Sequence, residues 1–136
     1  MKIFKFLFKL LLLLIGLFIT FSCDHSTNRF EAFLIKVDSI SIPQAISSGT
    51  PFNIGFFGTI GGDGCHTFKE FKQTSESNNI ILEAWGNLDV QSTACTTVMM
   101  FLGGRSMPLT IQTPGVYNLK VKQPDNTFLI RQITVN

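Results

Sequence analysis

Gly64-Cys65 and Cys95-Thr96 stand thirty positions apart, and the stretch between them decides how the fold is read. It contains two strand-like runs and the single tryptophan, Trp85. Ile80, Leu82 and Ala84 alternate with Ile81, Glu83 and Trp85, the period-two signature of a strand with one buried face. Residues 65–74 also read as a strand, but Phe68 and Phe71 fall out of phase and leave its inward face open. Residues 75–79 and 87–93 are polar turns. We read the stretch as the disulfide-stapled centre of a small β-sandwich.

Outward from that centre the pattern stays β. On the N-terminal side, Ile35 and Val37 alternate with Lys36 and Asp38, and Ile40 and Ile42 with Ser39 and Ser41. The apolar parity switches between Val37 and Ile40, which predicts a bulge or bend near Asp38-Ser39. Pro43 ends pairing or sits on an edge, because it brings no amide hydrogen. Phe52, Ile54 and Phe56 share one face of the next strand, and Gly61-Gly62-Asp63-Gly64 reads as a loop needing positive φ. On the C-terminal side, residues 95–102 read as an apolar strand, and Gly103-Gly104-Arg105-Ser106 turns the chain. Leu109 and Ile111 begin a short strand. Tyr117, Leu119 and Val121 alternate with Asn118, Lys120 and Lys122, and residues 128–135 close the domain after a Pro124-Asp125-Asn126 turn. Seven or eight short antiparallel strands separated by turns predict an all-β sandwich. Phe52, Phe56, Phe68, Phe71 and Phe128 are its expected core aromatics, with Trp85 packed on the disulfide; an exposed Trp85 would instead contact a glycan or protein.

The chain begins differently. Lys2, Lys5 and Lys9 precede an apolar run over 10–21, shorter than the roughly 20 residues of a membrane span but fitted to a signal peptide. Hydrophobicity stops at Ser22-Cys23, and residues 24–29 are polar. A small residue and a cysteine after such a run resemble the lipobox of bacterial lipoproteins. That resemblance implies cleavage before Cys23 and acylation of its sulfur, although Thr20 and Phe21 depart from the commonest pattern. The alternative is an ordinary secretory signal cut at the same place, without lipid. The expected organisation is therefore a lipoprotein signal peptide over 1–22, the lipidated cysteine and a tether over 23–32, and the domain over 33–136. Anchored so, the protein would face the periplasm or the exterior from a bacterial membrane.

Of eleven basic residues three lie in the leader, which leaves eight against nine acidic ones in the remainder. A near-neutral domain has no electrostatic footprint for nucleic acid. Assigning Cys23 to a lipid leaves Cys65 and Cys95 as a pair, and outside the cytoplasm two such cysteines are expected to be bridged rather than free.

Val37-Asp38-Ser39-Ile40-Ser41-Ile42-Pro43, Gly64-Cys65, Cys95-Thr96 and Pro114-Gly115-Val116-Tyr117 together resemble small immunoglobulin-like domains of bacterial lipoproteins. The resemblance spans about 33–135. It implies a sandwich fold, a Gly-Cys to Cys-Thr bridge and an envelope location, and brings no activity. The Pro-Gly-x-Tyr turn also resembles the tyrosine corner, in which the phenol hydroxyl ties a strand end to nearby backbone.

Candidate chemistry is sparse. His25 lies in the tether, and His66 beside Cys65 invites a metal reading, but a bridged cysteine offers no thiolate and adjacent strand positions face apart. Met99, Met100 and Met107 invite a copper reading, but no histidine follows Cys95. No nucleophile motif accompanies His66. We therefore expect no cofactor and no enzyme activity, but an interaction or structural module with an envelope protein or glycan as partner. An inhibitor of extracytoplasmic proteases is the alternative, and a small hydrolase built on a carboxylate pair the third reading. The loops at 61–64 and 103–107 are the expected contact surface, with Arg105 as its candidate binding residue, left free to project by the glycines on its N-terminal side.

Overall fold

A computed structural model describes residues 28–136; the leader, Cys23 and His25 lie outside the described residues. Ten strands follow one another: β1 (Phe30–Leu34), β2 (Ser39–Ser41), β3 (Phe52–Phe57), β4 (Thr59–Gly61), β5 (His66–Glu76), β6 (Asn79–Asp89), β7 (Met100–Phe101), β8 (Arg105–Leu109), β9 (Gly115–Lys122) and β10 (Phe128–Val135). The described residues are all-β, with no helix. The count exceeds seven or eight because β2, β4 and β7 are pieces of only two or three residues. The first strand starts at Phe30.

β6 organises the larger sheet. One edge carries β5, antiparallel from His66↔Leu88 to Glu76↔Asn79. The other edge is shared end to end: β1 pairs antiparallel with Trp85 to Asp89, and β9 pairs in parallel with Asn79 to Leu82. β10 then flanks β9 as an eight-residue antiparallel hairpin. A smaller antiparallel sheet runs β2-β3-β8, and β4 pairs with β7. The expectation of purely antiparallel strands is thus corrected at β6–β9. A parallel pair needs a crossover of roughly a dozen residues or more, and the chain makes one by passing through β7 and β8 before returning as β9.

The inner faces of both sheets belong to one core. Phe52, Ile54 and Phe56 of β3, with Met107 and Leu109 of β8, join Ile80, Leu82 and Ala84 of β6 and Tyr117, Leu119 and Val121 of β9. The predicted bend near Asp38 is the place where the chain changes sheets. Ile35 N still donates to Ala84 O at 2.8 Å in the larger sheet, whereas Asp38 N donates to Phe57 O at 2.9 Å in the smaller one. At the crossing Val37 is buried, and the Gln123 side chain serves its backbone: Val37 N donates to Oε1 at 3.1 Å, and Nε2 donates to Val37 O at 3.2 Å. Left unpaired, those buried groups would cost about 1–3 kcal/mol each.

Several aromatic assignments change. Phe52 and Phe56 are core, and Phe68 and Phe71 pack partly buried against it. The register shifts between Phe68 and Glu70, and this bulge lets side chains three apart meet the same core. Phe128 is 43% exposed, because it pairs with Lys122 on the outer face while Leu129, opposite Val121, points inward. Trp85 alternates with buried Ala84 and Gly86 and so lies half-buried on the outer face. Its Nε1 donates to Glu83 Oε2 at 2.8 Å and Lys72 Nζ sits 5.0 Å from its ring, so Trp85 is engaged by these neighbours rather than by the disulfide. Tyr117 behaves as the Pro-Gly-x-Tyr motif implies: its hydroxyl donates to Thr113 O at 3.0 Å and lies 2.6 Å from Thr113 Oγ1.

Candidate functional site

The end of the larger sheet at which the described chain begins gathers most of the residues singled out from sequence. Cys65 and Cys95 are bridged there, with Cα atoms 5.3 Å apart, inside the usual disulfide range. The 61–64 loop lies against the segment following Cys95, Gly64 N donating to Thr96 O at 2.9 Å. Gly61 and Gly64 serve space rather than backbone freedom, since neither adopts positive φ and the expected need for it is not met there. A Cβ on Gly61 would strike the His66 ring, and one on Gly64 the Thr96 hydroxyl.

Asp63 stiffens this loop. Its Oδ1 accepts from Cys65 N at 3.0 Å and lies 2.7 Å from His66 Nδ1. The bond with His66 holds the Asp63 carboxyl below its ordinary range. His66 is half-buried, its ring edge-on to Phe33 at 5.6 Å. The Asp63 carboxylate and the two cysteine sulfurs lie within 4.8 Å of one another. Bridged sulfurs carry no thiolate, so this set does not fit a metal ion.

Asp89, at the end of β6, closes the neighbouring turn. Its Oδ2 takes Arg29 Nη2 at 2.8 Å and Nε at 3.0 Å, while Oδ1 accepts from the backbone of Gln91 and Ser92, both at 3.1 Å. The Arg29 guanidinium is the main cause of a lowered Asp89 pKa. Exposed apolar side chains adjoin this pair and the segment after Cys95: Phe30 and Val90, next to Arg29 and Asp89, are each 50% exposed, and Val98 and Met99 beyond the bridge 58% and 55%. The expectation of a strand over 95–102 is corrected here. Only Met100 and Phe101 pair, because the bridge at Cys95 and the bond at Thr96 hold the earlier residues over the 61–64 loop. This apolar rim escaped sequence reading. Val98 to Leu102 is a continuous apolar run, which carries no period to separate packed from exposed positions.

The second candidate loop is smaller than expected. Gly103 and Gly104 turn the chain at φ of 58° and 79°, and β8 starts at once with Arg105. Met107 is already core. Arg105 does not project freely: its guanidinium lies 4.7 Å from the centre of the Phe68 ring. Phe68 and Phe71 are 4.7 Å apart, and Phe71 stacks on Phe56 at 4.4 Å. Arg105 therefore caps an aromatic column that joins the two sheets. Cys65, Cys95 and His66 share the disulfide end, and Arg105 is engaged with β5 instead.

A shallow recess of about 440 Å³ lies elsewhere, between Lys36-Val37-Asp38 and the β9–β10 turn. Its Asp125 is occupied by Thr127, whose Oγ1 and N donate at 2.6 and 3.0 Å. No family model, no curated protein and no solved structure matches the chain.

Proposed function

We propose that this chain is a lipid-anchored bacterial envelope protein whose immunoglobulin-like sandwich acts by contact rather than by catalysis. The observation that carries the reading is the Cys65–Cys95 bridge, since such bridges persist in oxidising compartments and the leader ending at Cys23 would deliver the chain to one. The Tyr117–Thr113 tie and the two sheets on one core support the sandwich assignment. Two features set it apart from antibody-type domains: the bridge closes one end instead of linking the sheets, and β6 and β9 are parallel. The partner is an envelope protein or a glycan; no basic surface for nucleic acid is implied by eight basic residues against nine acidic ones.

Detergent phase separation of cells expressing the full chain tests the anchor. The native protein should enter the detergent phase, and Cys23→Ala should leave an uncut precursor or release the domain. Recovery of the native protein wholly in the aqueous phase would refute the reading. Protease inhibition is the second reading, favoured by the bridge and the Asp63 bonds that stiffen the 61–64 loop. It predicts that substitution of Gly62, whose Cβ position meets no neighbour, changes inhibition without changing stability.

A further inference from the structure

We infer that the disulfide end of the domain docks on the bilayer surface, with Phe30, Val90, Val98 and Met99 set among the lipid headgroups. This rests on the proposal that Cys23 carries lipid. Asn28 lies five positions after Cys23, a reach of about 17 Å fully extended. The chain enters the domain at Phe30, which pairs with Asp89 at one end of β6. The other end of β6, at Asn79, lies ten residues away, roughly 33 Å along the strand. A lipid on Cys23 thus holds one particular end near the membrane and leaves the other out of reach.

That end is built for an apolar interface. Phe30 and Val90 flank the point where the chain enters, Val90 N donating to Arg29 O at 3.0 Å. Val98 and Met99 follow Thr96, which is bonded to the loop beside the bridge. All four side chains are half or more exposed. Two of the carboxylates at this end are already engaged, Asp89 by Arg29 and Asp63 by His66, while Glu31 beside Phe30 is exposed at the surface and keeps its water at the level of the headgroups. Four side chains of this size would hold a free protein weakly. A short tether supplies an effective concentration of the order of millimolar, which makes weak docking the populated state. Apolar side chains at this depth bury about 5–10 Å into the headgroup boundary. A second protein is the less fitting occupant, because the tether length brings the lipid surface itself to this rim.

The test uses the full lipidated protein reconstituted into phosphatidylcholine vesicles with brominated acyl chains. Trp85→Phe removes the native fluorophore. Phe30→Trp then reports the docking end, and Val116→Trp, exposed beside Asn78 at the far end, reports the control. Phe30→Trp should lose emission and shift to the blue on the vesicles, at low and high salt alike, while Val116→Trp does neither. Should Phe30→Trp fail to fold, Val98→Trp gives the same reading from a loop position. Protein that floats with the vesicles but shows equal emission at both ends overturns docking and leaves the anchor standing. Protein that does not float overturns both.

Discussion

The β9–β10 hairpin and the short β4–β7 pair, with the segment over 90–99 that leads into it, belong to one small domain and are held together by different means. In the hairpin, eight residue pairs run in register and Leu119, Val121, Ile133 and Val135 are buried along it. Its tie is local: the Tyr117 hydroxyl reaches a carbonyl four residues back. Between β4 and β7 the pairing is two or three residues long, and Val98, Met99 and Phe101 are exposed. There the bridge spans thirty residues. Where side chains pack, a hydrogen bond suffices to finish the structure; where they do not, a covalent link limits the freedom of the unfolded chain.

The largest effect should come from breaking that link. Replacing Cys65 and Cys95 together by serine should lower unfolding stability by about 3–4 kcal/mol for a loop of this length. Denaturant unfolding measures it, and a loss under about 1 kcal/mol would erase the contrast between the regions. Tyr117→Phe should cost about 1 kcal/mol, the ordinary worth of a hydrogen bond, because the Thr113 carbonyl loses its donor. If the two changes cost the same, the hairpin is no more self-sufficient than the β4–β7 pair.

These regions also differ in how far their sequences disclosed them. β9 and β6 were legible because Tyr117-Leu119-Val121 and Ile80-Leu82-Ala84 each bury one face, so hydrophobicity alternates along the chain. β5 was half legible: the bulge after Phe68 breaks the alternation that would have revealed its inward face. The parallel β6–β9 pairing and the service of Gln123 to Val37 rest on partners far apart in sequence, and local pattern holds no trace of either. At the candidate site, the cysteines were legible from their count, whereas the apolar rim was not. Arg105 was misread because nothing in its own segment announces Phe68 on another strand.

Smaller effects sharpen the comparison at its edges. Arg105→Ala should cost about 0.5–1 kcal/mol through loss of its contact with Phe68, where a freely projecting side chain would cost nothing. Thermal unfolding of the two proteins decides it. The smallest effect concerns acid. Asp89 has a lowered folded-state pKa through Arg29, so its stabilisation is complete above the unfolded carboxyl value of about 4 and is lost as pH falls through the folded value. Asp89→Asn should therefore flatten the fall in stability below about pH 4 and shift it little at acid pH itself. An acid limb unchanged by the substitution would mean that the Arg29–Asp89 pair does not help to fix the start of β1.

The intact mass of the mature protein, purified from membranes without reduction, decides whether the chain is a lipid-anchored, bridged domain. The expected mature chain begins at Cys23, heavier by its acyl groups and lighter by the two hydrogens of one Cys65–Cys95 bridge. A mature chain with an unmodified Cys23, or one carrying two free thiols at Cys65 and Cys95, would contradict it.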